Sequence, residues 1–323
     1  MNIITALLSR VIGLPEPTLR LLSTILLAYP PAFYYKKLYL SQDSLKSTRE
    51  DRNQYILFAG LALSFFFNGF HIYHSLVTTA VSYGLCFILG EQMNDRKLAL
   101  MTVWGFNALY LLVGYYYMQT DDYDITWTMS QCILCLRMMG FGFDYYDGRK
   151  KFTVAGAPTE KQADKNEDHT QAAIRSTEKA KPPVVLPLSF RADTPLTDLP
   201  DLKEVFAYAH FPAAFLVGPQ FSFSLYRKWL NDDERQLNAE EHEEKERAQV
   251  AYIIRCVLLA AVYLGLQQTI GARYNTSYLL TDEYRSLCLL KRAFVFIVAG
   301  KFAYNKYIGI WLLTEGKETC DQE

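Results

Sequence analysis

Residues 53–90 read NQYILFAGLALSFFFNGFHIYHSLVTTAVSYGLCFILG. The stretch is bounded by Arg52 and Glu91 and contains no Asp, Glu, Lys or Arg. A soluble domain has no use for an uncharged run of this length, but a membrane hairpin does. A helical crossing needs about 20 apolar residues. The run therefore accommodates two crossings, expected at Gln54 to Ile72 and Ser75 to Gly90, with a very short turn between them. Leu98 to Thr120 is a second uncharged run. The sequence predicts an all-α, polytopic transmembrane helical bundle.

Working outward, further crossings are expected at Leu19 to Tyr35, Leu98 to Met118, Ile125 to Tyr146, Val250 to Gly271 and Leu289 to Leu313. Pro30-Pro31 interrupt the first, and Lys36-Lys37 stop it. The extreme N-terminus has one early cation and no small-residue cleavage motif. It reads as an interfacial lead-in. Residues 1–146 thus form an N-terminal helical part. A polar linker follows over 147–202, and its 150–180 portion is expected to be disordered. Residues 231–249 carry charges at helical spacing and suit a solvated helix. Two further crossings fill 250–316, and 317–323 form a polar tail.

Between the linker and the charged helix lies Ala214 to Leu230, AFLVGPQFSFSLYRKWL. Gly218, Pro219 and Gln220 sit inside this apolar run and prevent a continuous helix. Irregular backbone at membrane depth is tolerated only where protein or a water-filled cavity covers it. The segment 203–230 is therefore expected to be re-entrant. Charge supports this. The loops after the first, third and fifth crossings hold the Lys and Arg, whereas the loop after the fourth, QTDDYD, is acidic. This alternation puts the basic loops in the cytosol. A re-entrant segment then leaves Asn275, in the one Asn-x-Ser/Thr sequon, on the lumenal side, available for glycosylation.

The formal net charge of −1 over 323 residues gives no reason to expect a nucleic-acid partner. Cys132 and Cys135 form a lone C-x-x-C without the second pair that a zinc site needs, so no metal is expected. Arg137, inside ILCLRMMGFGF, is costly at mid-bilayer, by about 2.5–3.5 kcal/mol on insertion scales. It serves either as a buried partner of a carboxylate such as Asp144 or as a contact for an anionic substrate. Lys301 is expected to face a cavity. His71 and His74 flank a membrane turn, and His210 precedes the broken segment. Each reads as structural first.

Three blocks carry a resemblance: YDITWTMSQCILCLRMMGFGFDYYDGRK at Tyr123 to Lys150, LKEVFAYAHFPAAFLVGPQFSFSLY at Leu202 to Tyr226, and GKFAYNKYIGIWLLTEG at Gly300 to Gly316. In order and spacing they resemble the membrane-bound O-acyltransferase family, in its lysophospholipid acyltransferase branch. The resemblance implies an internal tunnel in the endoplasmic reticulum membrane. It implies acyl-CoA as co-substrate, a lysophospholipid acceptor such as lysophosphatidylcholine, and no bound cofactor. It also implies a catalytic Asn and His beyond WLLTEG, where this sequence reads KETCDQE. The chain alone is therefore expected to lack turnover. Arg137, Asp144, Asp147, Gly218, Pro219, Gln220 and Lys301 remain as substrate-facing candidates. The alternative is a non-catalytic lipid-binding protein that pairs with a full-length relative or with itself. A small transporter is disfavoured because no inverted repeat is visible between the two halves.

Overall fold

The computed structural model describes residues 5, 9–10, 15–40, 48–118, 125–148, 196–218, 220–231, 239–274 and 277–322. The expected disordered linker, Pro219 and Asn275 lie outside the described residues. Everything described is helix or connection, with no strand. The helices are α1 (Glu16–Leu27), α2 (Tyr29–Tyr35), α3 (Arg49–Asn68), α4 (Ile72–Leu85), α5 (Arg96–Tyr117), α6 (Trp127–Asp147), α7 (Leu202–Ala209), α8 (Phe223–Asn231), α9 (Ala239–Leu266), α10 (Asp282–Ser286) and α11 (Leu289–Gln322).

Local chemistry sets several boundaries. The break in the first crossing falls at Ala28, immediately before Pro30-Pro31. The α3 N-terminus carries a capping box: the Thr48 hydroxyl accepts from the Asp51 amide, and the Asp51 carboxylate accepts from the Thr48 amide. Asp95 caps α5 through the Leu98 amide at 2.9 Å. The charged run and the next crossing, expected as separate elements, share one helix, α9. Charges at helical spacing pass into apolar residues without a breaker between them.

The uncharged run does fold back. Gly69 adopts φ +58°, a conformation that suits glycine, and a short 3₁₀ turn over Gly69–His71 leads into α4. Both arms then meet the same partners. At one level, Gly60 on α3 abuts the His210 carbonyl and Ser75 on α4 lies 3.3 Å from the His210 ring. At the open end, Arg49 pairs with Glu204, and the Tyr83 hydroxyl donates to the Pro200 carbonyl at 3.2 Å. Helix α7 is wedged between the arms. A side chain at Gly60 would collide with the His210 backbone, so glycine permits this approach.

Among the described residues, three helical runs are long and apolar enough to cross a membrane. They are Arg49–Gln92, which is this hairpin, Arg96–Tyr117 and Arg247–Gly271. Small and polar side chains join the helices inside the bundle. Asn107 donates to Ser82 at 2.9 Å, Gln131 to Thr78 at 2.6 Å, and Ser130 to Asn68 at 3.0 Å. The main apolar core gathers Met138, Phe141 and Tyr145 of α6 with Val205 and Tyr208 of α7 and Phe223 and Tyr226 of α8.

Candidate functional site

The broken segment occupies the interior. Helix α7 ends at Ala209, and no regular helix resumes until Phe223. Between them Phe211, Ala213, Ala214, Phe215, Leu216 and Val217 are all buried. Glu204 near the start of α7 is joined to Arg227 of α8 by two bonds of 2.9 and 3.0 Å, and Arg49 adds a third contact. The two ends of the segment are therefore joined to each other. Its tip, Phe215 to Val217, packs far along α3 against Leu63 and Phe67.

Helix α6 holds this segment at three heights. The Gln220 amide donates to the Ile133 carbonyl at 3.1 Å. Arg137, 1% exposed, donates to the carbonyls of Tyr208 at 3.0 Å, Ala209 at 3.2 Å and Ala214 at 2.7 Å. The first two belong to the last turn of α7, where carbonyls lack helical donors and the helix dipole favours a cation. The guanidinium also lies 4.9 Å from the Phe221 ring centroid. Asp144 accepts from the amide of Phe223, the first residue of α8, so a carboxylate meets that helix at its positive end. The Tyr208 hydroxyl closes the loop onto the Phe221 carbonyl at 2.6 Å.

Arg137 and Asp144 of α6 thus bind backbone at the two ends of the broken segment, and Gln220 of the segment binds backbone of α6 in return. Gly218 is half-buried beside them, and Asp147 ends α6. Lys301 is not part of this interior. The buried stripe of α11 runs through Val295, Ala299, Asn305 and Leu313, and Lys301 falls off it. Its side chain is exposed, with Nζ 5.7 Å from the Tyr304 ring centroid.

His210 and His74 are occupied locally, whereas His71 is exposed on the Gly69–His71 turn. His210, 2% exposed, donates from Nδ1 to the Phe206 carbonyl at 3.0 Å, which leaves Nε2 facing Ser75. His74 stacks on Trp127 at 3.7 Å and bonds the Tyr110 hydroxyl at 2.7 Å.

Two features escaped the sequence reading. Glu204 is buried and binds two arginines from distant helices. Arg96 was read only as a loop charge, yet it is 6% exposed. It donates to the carbonyls of Tyr145 and Leu196, both at 3.0 Å, and Thr197 at 2.6 Å, tying the chain together on both sides of the linker. An Asp-Arg pair at a helix start was the available signal. Arg49 and Arg96, from the loops after the first and third crossings, meet residues 196–204 at this end of the bundle.

A family profile described as MBOAT, membrane-bound O-acyltransferase family, matches residues 112–321. The chain is 34% identical over 310 residues to lysophospholipid acyltransferase 5 of Drosophila melanogaster, covering 96% of this chain and 52% of that protein. It is 30% identical over 305 residues to lysophospholipid acyltransferase 5 of Rattus norvegicus, covering 94% and 53%. A lysophospholipid acyltransferase of Schizosaccharomyces pombe is 25% identical over 315 residues, covering 95% and 53%. The chain spans about half the length of the curated relatives it matches. With a family match over more than half its residues, on a helical bundle whose apolar runs fit a membrane, the chain belongs to the membrane-bound O-acyltransferase family.

Proposed function

We propose that this chain forms the enclosing wall of a lysophospholipid O-acyltransferase of the endoplasmic reticulum membrane. In the complete reaction, the free hydroxyl of a lysophospholipid such as lysophosphatidylcholine attacks the thioester of acyl-CoA. The C–S bond breaks, an ester C–O bond forms, and the hydroxyl proton passes through a base to the departing thiolate. The observation that carries the reading is the connection between α7 and α8, buried from Phe211 to Val217 and tied to α6 through Arg137, Asp144 and Gln220. Covered irregular backbone of this kind suits an internal tunnel at membrane depth. The basic loops face the cytosol in this reading, and 203–230 is re-entrant.

The base is assigned outside the described residues. His210 has its Nδ1 proton committed to Phe206 and is shut inside packed helices, His74 is fixed on Trp127, and His71 is exposed on the Gly69–His71 turn, away from Arg137. Arg137 acts as a positioning residue for the wall.

Two proteins test the proposal. The first replaces the matching half of a full-length relative with residues 1–316. Its membranes are expected to transfer a polyunsaturated acyl group from acyl-CoA to lysophosphatidylcholine. A stably folded chimera inactive on every lysophospholipid overturns the reading. The second is the purified chain alone, with no turnover expected above a mock preparation. Turnover there overturns the assignment of the base.

A second reading, a non-catalytic partner of a full-length relative, draws on α11. Its outer face exposes Leu290, Phe294 and Ile297 together with Lys301. A cation within an apolar face suits protein cover better than lipid. Co-purification with the relative at a fixed ratio supports that reading.

A further inference from the structure

The bundle carries a cavity of about 360 Å³ at the end opposite Arg96 and Glu204. Its walls come from the start of α1, the Gly69–His71 turn, the end of α5 and the start of α6. The volume falls within the roughly 300–1,000 Å³ typical of small-molecule sites. The tip of the broken segment packs on Phe67, one of its walls, but Arg137, Asp144 and Gln220 do not line it.

Its chemistry is specific. Arg20 and Glu16 line one wall, with Arg20 Nε 3.9 Å from Glu16 Oε1. That separation is too long for a hydrogen bond. Arg20 Nε is buried and makes no hydrogen bond among the described residues. The guanidinium rests 5.4 Å from the Phe67 ring centroid. The Glu16 carboxylate accepts from the Thr5 hydroxyl at 2.8 Å. Trp127 supplies an aromatic wall, held in place by its stack on His74. A guanidinium with donor capacity to spare therefore sits beside a carboxylate and an indole.

A plain anion is attracted by Arg20 and repelled by Glu16. A plain cation meets the reverse. A molecule with an anionic and a cationic group a few bonds apart satisfies both, and an indole face is the preferred aromatic partner of a quaternary ammonium. The depth points to the source. Phe70, Tyr73, Tyr116 and Tyr117 are exposed at this end, 88%, 52%, 76% and 79% respectively. Exposed aromatics at one end of a membrane bundle mark headgroup level.

We propose that this cavity holds the zwitterionic headgroup of a phospholipid, with Arg20 on the phosphate and Glu16 with Trp127 on the ammonium. Only the identification of that lipid as an acyl acceptor rests on the function proposed above. Binding itself requires no turnover.

The test is equilibrium binding of labelled dodecanoyl lysophosphatidylcholine to the full chain in maltoside micelles. Dodecanoyl lysophosphatidic acid and inorganic phosphate serve as comparison probes. Arg20→Met is expected to weaken lysophosphatidylcholine binding at least tenfold. Glu16→Gln is expected to weaken lysophosphatidylcholine several-fold but to strengthen lysophosphatidic acid, because the repelling carboxylate is gone. Glu16 opens α1 at a partly exposed position, so this variant keeps the protein folded if Arg20→Met does not. Equal lysophosphatidylcholine affinity in Arg20→Met and the parent overturns the proposal. So does a Glu16→Gln variant that weakens both lipids alike, or full competition by phosphate, which makes the cavity a simple anion site. Lipid binding by the chain, combined with a folded but inactive chimera, keeps the headgroup site and removes the acyltransferase reading.

Discussion

The chain interrupts its helices inside apolar sequence at Gly69 and across 210–222, and resolves these two breaks by different means. At Gly69 the break is short, and one positive-φ glycine turns the chain. The next residue, Phe70, is 88% exposed, and no atom lies within 4 Å of a side chain added at Gly69. The 210–222 break is long, and it is buried from His210 to Val217. There α6 supplies Arg137, Gln220 reaches back to Ile133, and Asp144 and Tyr208 bind the far end. The difference is one of solvent. A break near the membrane surface needs only permissive backbone geometry. A break at depth exposes peptide groups that have no water to bind, so charged and polar side chains must satisfy them. The mid-helix arginine that looks expensive by sequence is what makes the deep break tenable.

The largest effect therefore belongs to Arg137. Arg137→Leu removes the donor to three buried carbonyls, at about 1–3 kcal/mol for each acceptor left unsatisfied. The expected outcome is a loss of about 3 kcal/mol or more, read as a large fall in Tm of the purified chain or as failure to accumulate. Arg137→Lys is expected to rescue little, because one ammonium cannot reproduce the planar fork that spans Tyr208 and Ala214. An unchanged Tm in Arg137→Leu would mean that the break is self-supporting and that the contrast with Gly69 is false.

A smaller effect is expected at the surface break. Gly69→Ala meets no steric obstacle, so its cost is conformational alone, about 1–3 kcal/mol for a non-glycine residue held in a sparsely populated region. Thermal melts of Gly69→Ala and Gly84→Ala separate this from general glycine effects. Gly84 also has open space around it but no positive φ, and it is expected to tolerate alanine. Equal losses in the two variants would remove the special role of the turn.

How much of this was legible in the sequence follows the same division. Absence of charge over 53–90 is a local property, and it gave the hairpin before any contact was known. The fourth crossing, read as Leu98 to Met118, appears as Arg96–Tyr117. The break at Gly218 to Gln220 was visible because glycine and proline act locally. The partners of Arg137 were not visible. The sequence offered Asp144, whereas the carbonyls of Tyr208, Ala209 and Ala214 have no residue signature. The two arginines on Glu204 come from positions 49 and 227, and only the fold joins them. Lys301 was expected to face a cavity and lies off the buried stripe of α11, whose apolar residues surround the helix too evenly for periodicity to show which side is inside. The cavity at Arg20 was hidden for the same reason as Glu204. Its walls lie at the ends of elements far apart in the chain.

Gln220 provides the finest test, because it belongs to the deep break but is itself exposed. Among the described residues its amide makes one hydrogen bond, to the Ile133 carbonyl at 3.1 Å. If depth rather than membership in the break sets the cost, Gln220→Ala loses only the net value of one neutral hydrogen bond, about 0.5–1.5 kcal/mol. It should therefore fall below Gly69→Ala in the same melts and far below Arg137→Leu. Hydrogen exchange gives a second reading. Amides of residues 213–217 are expected to stay protected in Gln220→Ala and to open in any surviving Arg137→Leu protein. If Gln220→Ala opens them too, the break is held cooperatively by all its contacts, and exposure is no guide to their worth.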